Sequence, residues 1–263
     1  LADVLNAVLH CRDRKVIEQF ESRLKPIMQS PDLVTTSSGI AAFYLILKAL
    51  KKIAFGDNSK RFSVVGTSTS LSADGERSRT IGKVLYTFPH HKKISNGQEI
   101  VLPAYTAGSL VVAVQKAGFT PVLCDISRDD FNMDTRDCLR VISGNTLAVT
   151  PVHMFGIAMT DLDILRSRLP AGVYVLEDCC QAMGTMVDYK QVGGFGDISF
   201  FSFNRGKNLP TYSGGCIATN NEDLAGDIQK QIKEVKKNNL LFKLSILFKL
   251  AALYFITRPA VYD

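Results

Sequence analysis

The 263-residue sequence predicts an α/β fold, a mostly parallel sheet with helices on both faces in three layers. Three observations carry that expectation. From residue 99 onward short apolar runs recur: "EIVLP", "PVLCD", "LAVTPV", "VYVLE", "ISFFSF" and "GCIATN". Most are separated by stretches with helical spacing, such as "GSLVVAVQKAG" and "DLDILRSRL". With 46% apolar residues, the chain is also long enough for one large domain with its own core.

In chain order, "VIEQFESRLKPIM" (16–28) has the spacing of an amphipathic helix. "TTSSGIAAFYLILKALKK" places Ser, Thr and Gly ahead of an almost wholly apolar run, the pattern of a capped helix buried in the interior. Residues 54–98 are rich in Ser, Gly and charge and read as a basic loop insertion with room for a short hairpin. The expected organisation is therefore 1–53 as N-terminal helices and the start of the large domain, 54–98 as the insertion, 99–226 as the main α/β unit and 227–263 as a basic, apolar helical segment. There is no internal repeat and no low-complexity tract.

The net charge of +6 is local. Residues 51–98 hold nine Lys/Arg against three Asp/Glu, and 227–258 hold seven against two, leaving the rest of the chain mildly acidic. Such regions point to an anionic partner such as a membrane surface, with a solvated face as the plainer alternative. Nucleic acid is not expected, because the basic stretches lack interleaved aromatics and any reader motif. Six cysteines without CxxC spacing indicate a reducing compartment and no metal site. No signal peptide opens the sequence; it starts without Met and ends abruptly, so it is expected to be a fragment.

Functional groups in an open α/β sheet collect at the carboxyl ends of the strands. That rule gathers Pro103 to Thr106, His153, Glu177 to Gln181 and Ser202 to Lys207 near one rim. "EDCCQAMG" (177–184), following the apolar run 173–176, is either a surface turn or the floor of a site. A lysine beside a buried site can form a Schiff base with a carbonyl, and an aspartate at a neighbouring strand end can hold a pyridinium nitrogen protonated. Serine and a helix N-terminus can take a phosphate. From residue types alone, both a solvated turn and a pyridoxal phosphate site remain open. A dinucleotide site is disfavoured, since no GxGxxG opens the first helix and "GGFG" (193–196) has the wrong context.

The ordered motifs resemble those of the DegT/StrS-type (DegT/DnrJ/StrS) family of sugar aminotransferases. "SSGIAAFYLILKAL" is similar to its SGTAALHLAL helix start, and "GQEIVLPAYTAGSLVVAVQKAGFTPVLCDISRDDFNMD" to its GDEVIVPSFTF stretch. "PVHMFG" follows its PVHLYG segment; "EDCCQ" and "FSFNRGKNL" follow its EDAAQ and FSFxxxKNL. The resemblance spans about 16–50 and 97–225 and implies the large domain of a fold-type I enzyme dependent on pyridoxal 5'-phosphate. It implies a Schiff-base lysine at Lys207, a pyridine-nitrogen carboxylate at Asp178, a cofactor-ring contact at Gln181 and a phosphate contact at Ser202. It also implies phosphate-binding amides at Gly39, Ile40 and Ala41, and places Tyr105 and His153 beside the cofactor. Cys179 and Cys180 take the places of two small residues and read as inert thiols.

Departures from the pattern fall at Ile40, Ala107 and Ser213, where the family has threonine, a stacking aromatic and glutamate. The family's small C-terminal domain is missing or truncated in this sequence. In its place, 240–257 is apolar or small except for Lys243 and Lys249, and 230–258 reads as a segment that lies on a membrane rather than spanning it. The resemblance implies an aminotransferase acting on a keto sugar, nucleotide-linked in the family's manner, with a donor such as glutamate, as a homodimer. Its expected place is the cytoplasm, or the cytoplasmic face of a membrane. The competing reading is a non-catalytic, membrane-associated scaffold or partner subunit that retains the fold.

Overall fold

A computed structural model describes residues 14–28, 30, 32–55, 63–66, 84–87, 98–211, 213–234, 248, 249 and 252. Helix α1 (Arg14–Met28) leads into strand β1 (Asp32–Thr36) and helix α2 (Gly39–Phe55). Strands β2 (Ser63–Gly66) and β3 (Val84–Thr87) pair antiparallel, so the insertion carries a hairpin ladder. Then follow β4 (Glu99–Pro103), α3 (Gly108–Ala117), β5 (Thr120–Cys124), α4 (Thr135–Val141), β6 (Thr146–Val149), α5 (Leu162–Arg168) and β7 (Tyr174–Asp178). A two-residue pair, β8 (Met186–Val187) and β9 (Lys190–Gln191), precedes β10 (Ile198–Ser202), β11 (Gly215–Thr219) and α6 (Glu222–Glu234).

Seven strands form one sheet in the order β1-β11-β10-β7-β6-β4-β5. The pairings from β10 to β5 are parallel, while β11 runs antiparallel to both β10 and β1. The six apolar runs are the six strands β4, β5, β6, β7, β10 and β11, so the predicted α/β class is the observed one. Strand β1 was hidden. Its "DLVTT" precedes the helix as an apparent cap, and only pairing with distant β11 makes it a strand.

Side chains alternate across the sheet. Ile100, Leu102, Leu176, Phe200 and Ile217 join a core with α2, α3 and α6. Val101, Val149 and Val175 point the other way, into a cluster with α4 and α5, and Phe201 and Cys216 meet α1 on that same side. Helix α2 is apolar enough to be buried along most of its length, including Phe43 stacked at 5.0 Å on Phe200. Its N-terminus is thereby fixed over the tips of β10 and β11. Helix α6 crosses residues 226–227, where the sequence reading set a boundary. Most of the apolar segment 240–257 lies outside the described residues. Among the described residues, no helix is long and apolar enough to cross a membrane.

Candidate active site

The register of β10 against β7 places Phe200 opposite Asp178. Strand parity then puts Asp178 and Ser202 on the face covered by α2, and Glu177 on the opposite face. The helix start, the tip of β10 and the turn after β7 meet at Gly39. A Cβ built there would lie 2.8 Å from Ser202 Cβ and 2.9 Å from Cys180 Sγ, so only glycine lets the helix start approach both strand tips. Gly215 allows the same closeness from below, because its Cβ would fall 2.6 Å from the Gly39 nitrogen.

Within the Ser/Thr/Gly stretch expected to cap this helix, Ser38 is the capping residue. Its hydroxyl accepts from the Ala41 amide at 3.1 Å, so of the three nominated amides that of Ala41 is already engaged. The amides of Gly39 and Ile40 have no partner among the described residues and are left for an anion at the positive end of the helix. Ile40 turns its side chain against the core, so this position offers an amide but no hydroxyl. Ser213 donates to the Ser37 carbonyl at 2.8 Å and ties its loop to the helix entrance. Ala107 stands before α3 as an exposed N-cap without a capping side chain.

Asp178 is buried, with 6% exposure. Its Oδ1 accepts from the Cys180 amide at 2.9 Å. Burial pushes its pKa up, opposed by that amide, the Cys180 thiol and the charge of Lys207. Asp178 ends β7 and Lys207 follows β10, the neighbouring strand, and the lysine's charge favours the ionised carboxylate. Lys207 is half-buried in a turn that its amide closes onto the Asn204 carbonyl at 3.1 Å, next to Gly206 at φ 80°. Ser202 Oγ accepts from the Asn204 amide at 3.4 Å in the same loop.

Gln181 is held by the turn after β6, accepting from the Phe155 amide at 3.3 Å and donating to Met154 Sδ at 3.4 Å. Tyr105 is 51% exposed and packs with Phe131 and Phe155, each with ring centroids 6.2 Å away. Cys179 is fully buried. Cys180 is half-buried, packs against the core under α2 and also lies beneath Gly39. Burial raises the pKa of both thiols, so they stay protonated and poor as nucleophiles.

His153 has both ring nitrogens occupied. The Met159 amide donates to Nδ1 at 3.1 Å, which leaves the proton on Nε2, 3.0 Å from Glu177 Oε1. Glu177 in turn accepts from the amides of Gly193 (2.7 Å), Phe195 (2.8 Å) and Gly196. Burial works to raise its pKa, and the hydrogen bonds from His153, Gly196 and Gly193 overcome it and hold the carboxylate below its ordinary value. The "GGFG" stretch is thus a nest for a buried carboxylate, a role with no local sequence signature. His153, Glu177 and Cys179 bring ligand-type atoms within 4.8 Å of one another. The hydrogen bonds already made there use the nitrogens and carboxylate oxygens a metal would need.

The sequence profile of the DegT/DnrJ/EryC1/StrS aminotransferase family matches residues 85–238, more than half of the chain. The chain belongs to that family. It is 35% identical over 130 residues to the GDP-perosamine synthase of Vibrio cholerae, covering 49% of this chain and 35% of that protein. The chain thus spans about a third of the length of that curated relative. Among solved structures, the aminotransferase from Psychrobacter cryohalolentis has TM-score 0.65 at 22% identity, covering 87% of this chain and 49% of that one. A sugar aminotransferase from Micromonospora echinospora has TM-score 0.66 at 20% identity, covering 87% and 53%. At these identities the structural likeness is one of fold. It agrees with the fold expected from the motifs.

Proposed function

We propose that this DegT/DnrJ/EryC1/StrS chain is the large domain of an aminotransferase dependent on pyridoxal 5'-phosphate, transferring an amino group from a donor such as glutamate to a keto sugar carried on a nucleotide. The observation that carries the reading is the meeting at Gly39 of the α2 N-terminus with Ser202 and with Cys180, whose amide donates to Asp178, with Lys207 in the loop that follows Ser202. The fit to the cofactor rests on that cradle, which a single Cβ would fill, and on a buried carboxylate whose burial makes a cationic partner favourable.

In this reading the amides of Gly39 and Ile40, with the Ser202 hydroxyl, bind the phosphate. Asp178 holds the pyridine nitrogen protonated, and Gln181 orients the ring, while Tyr105 belongs to the neighbouring cluster with Phe131 and Phe155. Lys207 Nζ would anchor the cofactor and, once released, would serve as the base that removes a proton from the donor carbon in the first half-reaction and as the acid that delivers a proton to the product carbon in the second. When bound, the cofactor supplies an electron sink for the substrate carbanion. His153 is a positioning residue, since its nitrogens are spent on Glu177 and Met159.

The test is spectroscopic. Protein incubated with pyridoxal 5'-phosphate should gain the absorbance of the lysine-linked cofactor, and borohydride should fix the label on the peptide that contains Lys207. The Lys207→Ala variant should lose both signals. Labelling that persists in that variant, or a folded wild-type chain that never gains the band, refutes the reading and favours the scaffold alternative.

Assembly as a homodimer and contact with a membrane through 230–258 belong to the same proposal. Supporting the second is a cleft of about 500 Å³ lined by Tyr44, Lys48, Lys51, Lys52, Phe55 and Lys116. It lies along the second half of the 17-residue α2, centred about 17 Å from the phosphate cradle. Lys51 is spent on the Ala117 carbonyl (2.9 Å) and Lys52 pairs with Asp227 (3.5 Å). Flotation with phosphatidylserine vesicles, lost at high salt, is the expected result. Equal flotation with neutral vesicles counts against an electrostatic contact.

A further inference from the structure

Three aromatic rings stand at the carboxyl rim on three different loops: Tyr105 after β4, Phe131 after β5 and Phe155 after β6. They are 51%, 44% and 58% exposed, so they are not core residues. Phe131 meets Phe155 edge-to-face at 5.8 Å, and Tyr105 is tilted against both. Both phenylalanines have left-handed backbones, φ 61° and 56°, a conformation that bulky L-residues adopt uncommonly. Local strain of this kind persists only where surrounding contacts impose it, and it concentrates at ligand sites.

The imposing contacts are present. Asn132, 1% exposed, accepts from the Met154 amide at 2.9 Å and donates to the Ile157 carbonyl at 3.2 Å. One buried amide therefore locks the loop of Phe131 to that of Phe155. Gln181 fixes the second loop to the candidate active site through the Phe155 amide. The rings are held out into solvent by a rigid, strained frame that adjoins the site.

We propose that Tyr105, Phe131 and Phe155 form the seat for the nucleobase of the nucleotide-linked substrate. This rests on the aminotransferase reading above and names a binding surface within it. Strand spacing selects the base over the sugar as occupant. Lys207 follows β10, whereas the rings follow β6, β4 and β5, which lie two to four places along the sheet. At 4.7–4.9 Å per strand, that is about 10–20 Å. A sugar reacting at Lys207 cannot also cover the rings. The diphosphate and ribose supply the intervening length, and the base presents a flat face suited to aromatic stacking.

The experiment is calorimetric titration of the full chain with UDP and with GDP, beside inorganic pyrophosphate as a probe without a base. Phe131→Gly and Phe155→Gly remove a ring while relieving the backbone, so folding is favoured in both; Phe155→Tyr keeps the ring. Each glycine variant should weaken at least one of the two nucleotides about five- to a hundredfold, with pyrophosphate unchanged and Phe155→Tyr near wild type. Unchanged nucleotide affinity in both glycine variants overturns the proposal, as does equal loss for pyrophosphate or a wild-type chain that binds neither nucleotide. So does a change in sedimentation without a change in nucleotide binding, which would make the rings an interface between copies. The cofactor band, read on the same samples, separates the two levels: its absence from the wild type sinks the aminotransferase reading, whereas its presence with failed nucleotide binding sinks only the seat.

Discussion

Replacing Glu177 by Gln changes one atom of a carboxylate at the centre of four donors. Oε1 accepts from His153 Nε2 and the Gly193 amide, and Oε2 from the amides of Phe195 and Gly196. If the new NH2 takes the Oε2 place, it faces two backbone N–H groups that can accept nothing. If it takes the Oε1 place, His153 could turn its tautomer to accept, but Nδ1–H would then face the Met159 amide. Either arrangement leaves about two buried donors unsatisfied, at about 1–3 kcal/mol each, so the expected loss is about 2–6 kcal/mol. For a domain of this size that lowers the melting temperature by about 5–20 °C. Thermal and urea unfolding of the unliganded chain would measure it. The pH dependence has a definite sign: because Glu177 is depressed in the folded chain, its contribution is present above the unfolded carboxylate value and fades as pH falls through the folded one. The gap between wild type and Glu177→Gln should therefore narrow in acid. A variant melting within about 2 °C of wild type at neutral pH would refute the reasoning.

Asp178→Asn should behave in the opposite way. Burial raises Asp178, so the ionised group counts against the fold above that raised value and ceases to do so as pH falls below the unfolded value, near 3.9. At neutral pH the unliganded variant should melt no lower than wild type while binding pyridoxal 5'-phosphate more weakly; calorimetry and equilibrium dialysis give the two readings. Gly39→Ala pushes a methyl to within 2.8–2.9 Å of Ser202 and Cys180, with an expected cost of about 1–3 kcal/mol in urea unfolding and loss of the cofactor's phosphate contact. Arg166→Ala removes a guanidinium that donates to the Phe195 carbonyl at 2.6 Å and to Asp197, whose other oxygen holds the Val175 amide. It should cost about 1–3 kcal/mol by the same assay and loosen the loop that wraps Glu177.

Local pattern was enough for much of the architecture. Strands β4 to β7, β10 and β11 are apolar over most of their length because a sheet covered on both faces buries both sides of its strands, and that signal is local. The rim residues were legible for the same reason. A strand ending in "EDCCQ" and a loop holding Lys207 must lie at carboxyl ends whatever the register. Strand β1 was not legible, because its five residues become a strand only through hydrogen bonds to residues 215–219.

The sequence by itself determined the α/β class, the family and the nominees for the site. Only the tertiary structure decided how they divide the work. It placed Asp178 and Glu177, adjacent in sequence, on opposite faces, one on the side covered by α2 and the other inside the Gly193–Gly196 nest. It assigned the ring nitrogens of His153 to Glu177 and the Met159 amide, engaged the Ala41 amide with Ser38, and brought three rings from three loops together. The physical reason is common to all of these. Periodicity and propensity report on neighbours along the chain, whereas burial and hydrogen bonding depend on groups tens of residues apart that meet only when the sheet has assembled.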